Sequence, residues 1–241
     1  MRKIGSVVAM LAVLVGVVAA SAGATHSWGG YHWARTANPF ALKLGDNVDA
    51  NWDSYLATTS SGWSQSTVLD TPVVPGLTSG RKCRATLGRV EVCNAAYGKN
   101  GWLGLAQIWL SSGHISQGVA KMNDTYFNLA KYNTPDEKNH VMCQEVGHTL
   151  GLDHTSTDGS SQGTCMDYST SPSSTAPNAH DYEELGIIYS HLDGSTTVGA
   201  VAPGKGGKPF AEANPRNGKV YVDDMGNGVM RVTFVYWADE G

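Results

Sequence analysis

The residues best suited to chemistry lie together in Gln144-Glu145-Val146-Gly147-His148-Thr149-Leu150-Gly151-Leu152-Asp153-His154. Read as a helix that stops at Gly151, the stretch puts positions 144 and 148 one turn apart on one face. Glycine readily takes the left-handed conformation that ends a helix, so Gly151 swings the chain back and brings His154 towards His148. Two donor positions four apart on a helix, a carboxylate beside the first and a third donor after a glycine turn suit a hydrolytic Zn2+ site. In such a site Glu145 is placed to take the proton of an activated water. Gln144 is the unusual donor. Its amide oxygen can coordinate zinc, but it is neutral and weaker than an imidazole nitrogen. Three outcomes stay open: Gln144 ligates through oxygen, another group such as Tyr168 completes the shell, or the site binds its target without hydrolysing it.

The stretch resembles the metzincin metalloproteases, and within them the matrixin-like secreted enzymes. Their pattern H-E-x-x-H-x-x-G-x-x-H matches at Glu145, His148, Gly151 and His154 and departs at Gln144. Met166, in Cys165-Met166-Asp167-Tyr168, follows His154 by twelve residues and is similar to the Met-turn beneath the metal in that clan. Tyr168 resembles the tyrosine that astacin-like and serralysin-like members hold near zinc. The similarity runs from about Trp28 to about Leu192. It implies a metzincin-like α+β fold: a twisted mixed sheet, an active-site helix and a cleft between two lobes. The implied protein is a secreted, zinc-dependent metalloendopeptidase acting on polypeptide. Gln144, His148 and His154 would be its metal positions, Glu145 its general base and Tyr168 a hydroxyl at the oxyanion. Met166 would be an apolar floor. The resemblance also makes Leu105–Leu110 the strand bordering the cleft, its free edge pairing with extended substrate. A structural Ca2+ is not readable either way.

The elements that must position these residues are legible in outline. Thr134-Pro135-Asp136-Glu137 opens the main helix, with Thr134 as N-cap, Pro135 in the first position and Glu137 completing a capping box; the helix runs to Leu150. His140 sits one turn before Gln144, as a polar residue of the helix's first turns or, less plainly, as a replacement ligand. An earlier helix is expected from Val48, Trp52, Tyr55, Leu56 and Trp63, capped by Asn47 or Asp49. Short β-prone runs follow at Thr67–Leu69, Arg89–Cys93, Leu103–Leu110 and near Val119, separated by Gly, Pro and Asn clusters. A closing helix starts at Asn178–Asp181 and carries Tyr182, Leu185, Ile188, Tyr189 and Leu192 as its apolar stripe. Gly194–Pro209 reads as a linker. Val220–Val222 and Val229–Trp237 read as a β-hairpin that packs on the main domain, because two strands alone are marginal in water.

Arg2 and Lys3, the apolar run Val7–Ala20 and the small residues up to Ala24 form a secretory signal peptide, too short and wrongly flanked for a membrane anchor. The expected organisation is 1–24 signal peptide, 25–192 metzincin-like domain and 193–241 extension. Losing Arg2 and Lys3 takes the formal charge from −4 to −6 (−4 − 2). That excludes a nucleic-acid partner on charge, and no second apolar segment could span a bilayer. A secreted monomer is expected. Four cysteines allow three connectivities in an exported chain, and the pairs Cys83–Cys93 and Cys143–Cys165 are expected; the rival is a cysteine ligand for zinc. Cys143 is a poor one, since five positions from His148 it points away from the metal face. His26, His32, His180 and His191 read as packing or surface residues, and His114 as a solvated loop histidine rather than a ligand of a second ion. Asn123-Asp124-Thr125 fits a glycosylation sequon.

Overall fold

The computed structural model describes residues 26–200 and 220–238. The signal-peptide reading of residues 1–24 and the greater part of the expected linker lie outside the described residues. The elements run β1 (His32–Trp33), β2 (Phe40–Ala41), β3 (Leu44–Asn47), α1 (Asp53–Trp63), β4 (Leu69–Asp70), β5 (Val73–Pro75) and β6 (Val90–Ala95). They continue β7 (Trp102–Ser111), β8 (His114–Asn123), α2 (Asp124–Phe127), α3 (Pro135–Thr149), α4 (Ala179–Ile188), β9 (Val220–Gly226) and β10 (Val229–Trp237). The fold is α+β on one mixed sheet, ordered β5-β3-β6-β8-β7-β10-β9, with β1 also pairing on β8. The strands β5, β3, β6 and β8 are parallel; β7, β10 and β9 continue the sheet antiparallel.

Helix α3 lies across β7 and β8 with α1 beside it. Its start is chemically specified: the Thr134 side chain accepts from the Glu137 backbone N–H at 3.2 Å, and Pro135 takes the first turn, where no N–H bond is lost. Glu137 does not complete the expected capping box, because its carboxyl does not reach back to the Thr134 N–H and its Oε1 is buried without a partner. Asp136 and Glu137 face the positive end of the helix dipole. Trp33, Trp52, Trp63, Leu44, Leu56, Val141, Val146, Met166 and Phe234 are among the side chains that join the helices and the sheet in one core. The pairs Cys83–Cys93 and Cys143–Cys165 are both bonded, so no free cysteine remains as a ligand. These disulfides are compatible with a secreted protein, and among the described residues no helix is long and apolar enough to cross a membrane.

Three local expectations are corrected. Neither Asn47 nor Asp49 caps α1. Asn47 donates to the buried Glu91 carboxylate at 2.6 Å, and Asp49 is spent on a turn, accepting from Asn51 N–H; the N-cap is Trp52, without a side-chain bond. Leu192 is 56% exposed, because α4 ends at Ile188 and the chain leaves the helix before that position returns to the core. Asn123 is wholly buried. Its amide donates to Gly98, Asn100 and Trp102 and its oxygen caps α2, so in the folded chain the sequon asparagine is a structural knot instead of an exposed loop residue.

Candidate metal centre

The local chain path is built as the spacing demands. α3 gives way at Leu150, and Gly151 has φ +103°, where any Cβ would also sit 2.3 Å from the Tyr31 carbonyl oxygen. The segment after the glycine is strapped by the N-terminal residues: Trp28 N–H donates to Gly151 and Asp153 N–H to His26. These bonds deliver His154 to His148, their ring centroids 4.4 Å apart. The Cys165–Tyr168 turn closes beneath. Thr155 N–H donates to the Met166 carbonyl, and the disulfide ties Cys165 to Cys143 on α3. Met166 is fully buried against Gly147, where an added Cβ would stand 2.4 Å from the methionine sulfur and 2.7 Å from Trp63. Gly147 is therefore what lets the turn and Trp63 approach the helix so closely. The Tyr168 ring stacks on His154 at 4.3 Å.

The donors' proton positions follow from their partners. His148 Nδ1 faces the Leu152 carbonyl at 2.9 Å; a carbonyl only accepts, so the proton sits on Nδ1 and Nε2 keeps the lone pair. Burial and the adjacent His154 push the His148 pKa down to about 3, which keeps that ring neutral. His154 Nδ1 meets the Asp153 carboxylate at 3.1 Å, which orients it in the same sense. Gln144 is wholly buried, and its Nε2 donates to the Cys165 and Asp167 carbonyls at 2.9 and 2.8 Å. Two carbonyl partners identify that atom as the amide nitrogen and turn Oε1 the other way, where it has no hydrogen-bond partner. Glu145 is also wholly buried, with both carboxylate oxygens unpartnered, and burial raises its pKa well above the usual carboxylate range. Its carboxyl lies against the β7 backbone, where a Cβ on Gly104 would come within 2.4 Å of Oε1.

Buried acceptors without donors are rare and costly. Gln144 Oε1 and the imidazoles of His148 and His154 supply the donor types of an N2O zinc set. The expected residues Gln144, Glu145, His148, His154 and Tyr168 are thus gathered on one end of α3. His140 is not a bland surface residue. It is buried, its Nδ1 bonded to the Ser174 carbonyl and its ring 5.4 Å from Tyr236. Burial, before any other influence, lowers its pKa.

The expected free edge of Leu105–Leu110 is corrected. β10 pairs antiparallel along β7 from Val229–Ser111 to Trp237–Trp102, so β7 is interior to the sheet. Strand alternation then aims Val232, Phe234 and Tyr236 at α3. Phe234 lies flat on His148, centroids 4.2 Å apart and planes within 5°, and Tyr236 stacks on Tyr168 at 5.7 Å. Opposite these two rings β7 carries only Ala106 and Gly104, which leaves them room.

His26 is a packing residue, buried and paired with Asp181, whereas His114 is not a lone solvated residue: His32, His114 and Asp193 converge in a group whose donor atoms all lie within 4.8 Å of one another and could hold a metal ion. No local spacing in the sequence marks this group, whose members come from three distant segments. No protein-family model matches the chain, and no curated protein matches it.

Proposed function

We propose that the chain is a secreted zinc metalloendopeptidase of metzincin type, with Gln144, His148 and His154 holding the metal. The observation that carries this reading is Glu145: a wholly buried carboxyl with two unpartnered oxygens, one residue from Gln144 and on the same helix as His148. Nothing in ordinary packing calls for such a group, whereas a general base needs a water-excluded site and a raised pKa. Zinc, when bound, would polarise the attacking water and the scissile carbonyl. Glu145 would accept the water's proton at a carboxylate oxygen and return it to the leaving amine nitrogen. The Tyr168 hydroxyl would donate to the developing oxyanion. Polypeptide is the substrate class in this reading.

The glutamine has a positive role here. Its amide nitrogen clamps the 165–168 turn with two hydrogen bonds, while its oxygen is left for the metal. A histidine ligating through one ring nitrogen has a single N–H left for that turn. Retaining the turn at the expense of donor strength is the exchange that Gln144 makes.

The pairing of β10 on β7 and the Phe234 ring over His148 describe a resting form, with the chain's own strand where extended substrate would add. The same two observations favour a second reading, a polypeptide-binding protein that does not cleave. The deciding experiment loads the chain with zinc and offers it a quenched peptide library, beside Glu145→Ala and Phe234→Ala. Cleavage lost in Glu145→Ala and raised in Phe234→Ala supports the peptidase. Peptide binding without turnover in both zinc-loaded wild type and Phe234→Ala sinks it in favour of the binder.

A further inference from the structure

A second cluster of donors lies where three distant segments meet. His32 on β1 and His114 at the start of β8 are paired in parallel register, with rings 4.9 Å apart. His191 and Asp193, beyond α4, come up beside them; the His191 ring is 4.8 Å from that of His32. The Nε2 atoms of His32, His114 and His191 all approach one atom, Asp193 Oδ1, at 3.5, 3.1 and 3.6 Å.

His114 Nε2 is within hydrogen-bond reach of Asp193 Oδ1 at 3.1 Å and His32 Nε2 is at its outer limit at 3.5 Å, while one oxygen has two lone pairs for three nitrogens. His32 Nδ1 donates to the Gly30 carbonyl at 2.9 Å, which fixes the ring with Nε2 as the atom turned on the cluster. A single cation held by His32, His114 and Asp193, whose donor atoms all lie within 4.8 Å of one another, would satisfy all three, and the exposed His191, its Nε2 3.6 Å from Asp193 Oδ1, is placed to swing in as a fourth donor. Donors about 2.0–2.1 Å from a tetrahedral ion are roughly 3.3 Å from one another, and the three nitrogens stand 3.5, 3.1 and 3.6 Å from Asp193 Oδ1.

The surroundings are those of an oriented ligand set. Asp193 Oδ2 is occupied by Arg35, through its backbone N–H at 3.1 Å and its Nη1 at 2.8 Å, which leaves Oδ1 for the cluster. Arg35 Nη2 also holds the carbonyls of Tyr189 and His191, fixing the tail that carries the other two donors. Three imidazoles and a carboxylate favour Zn2+ over Ca2+ or Mg2+, which select oxygen. Four protein donors make a closed, structural site. The His191 side chain is 58% exposed, so the ion has a way in from solvent.

We infer that His32, His114, His191 and Asp193 form a structural zinc site that pins the segment after α4 to β1 and the β7–β8 turn. It shares no ligand with the centre on α3 and does not depend on the peptidase reading.

Zinc alone is the probe. Metal-free His148→Ala, in which the α3 centre is disabled, is titrated with Zn2+ and followed by elemental analysis and thermal unfolding. About one zinc per chain should remain, raising Tm by roughly 5–10 °C at zinc about a hundredfold above Kd. Adding His114→Ala or His191→Ala should weaken that zinc at least about 100-fold and abolish the Tm rise. Both side chains are partly exposed, so the fold survives their loss, and wild type bearing either change should lose one equivalent relative to its parent. Co2+ in place of zinc should give tetrahedral visible bands that disappear in the same variants. No zinc bound by His148→Ala, or zinc bound equally by His114→Ala and His191→Ala, overturns the inference.

Discussion

The molecule carries two gatherings of histidine, and they are built in opposite ways. On α3 the donors come from one short stretch, are closed off by Phe234, and include a glutamine and an unpartnered carboxyl. At the β1–β8 corner the donors come from three segments, stand partly in solvent, and surround one carboxylate oxygen. The first has weak, buried donors beside a group able to move protons. The second has strong donors, two of them partly exposed, and, among the described residues, no further carboxyl beside them. Chemistry calls for an incomplete, water-excluding shell with a base at hand, and cross-linking calls for a complete one. We accordingly assign reactivity to the first and stability to the second.

The contrast can be broken in graded steps. The largest effect is expected from Glu145→Ala: peptide hydrolysis should fall by roughly 10²–10⁴-fold while zinc at both sites is retained. Intact turnover in that variant would end the assignment of reactivity to α3. Phe234→Ala comes next. It should cost about 3–5 kcal/mol in denaturant unfolding and make only the α3 zinc exchange faster with chelator. Equal acceleration at both sites would mean that Phe234 is not a cover for one of them.

Gln144→His should tighten the α3 zinc roughly 10–100-fold by isothermal titration and leave the corner site unchanged. The metal-free variant should lose about 1–3 kcal/mol, because the 165–168 turn surrenders a hydrogen bond to the Gln144 amide. A tighter site with no loss of apo stability would remove the clamping role of the glutamine.

The smallest effect concerns a group on the other face of the sheet from α3. Burial, and then the charge of Arg231, lowers the Lys121 pKa to about 8. Between that value and the ordinary lysine range the unfolded chain binds more protons than the folded one, so stability should rise with pH. From about pH 8 to 9.5 the gain should be roughly 1–2 kcal/mol and vanish in Lys121→Met. Persistence of the slope in that variant would place its origin elsewhere, histidine clusters included.

How much was readable along the chain depended on how local each feature is. The Thr134 cap of α3, its exit at Gly151 and the spacing of Gln144, Glu145 and His148 need only a helix and a turn, and so they are legible in the residues themselves. So were the two disulfides, each linking cysteines near in sequence. The cover over His148 was not, because Phe234 and His148 belong to segments whose pairing is decided by sheet register. The sequon failed for a similar reason: burial of Asn123 follows from packing against the loop at Gly98–Trp102. His114 looked like a lone loop residue because its companions stand some 80 positions away on either side.

The sequence by itself determined a capped helix that bears a carboxylate and spaced metal donors, closed by a glycine and tied by a disulfide to a methionine turn. Short-range sterics and hydrogen bonding settle those features, whatever the rest of the chain does. Only the tertiary structure decided that β10 occupies the edge of β7, that the Gln144 amide nitrogen serves the turn, and that His32, His114, His191 and Asp193 meet. Each of these follows from strand register and core packing, which bring distant residues within bonding range and leave no trace in local spacing.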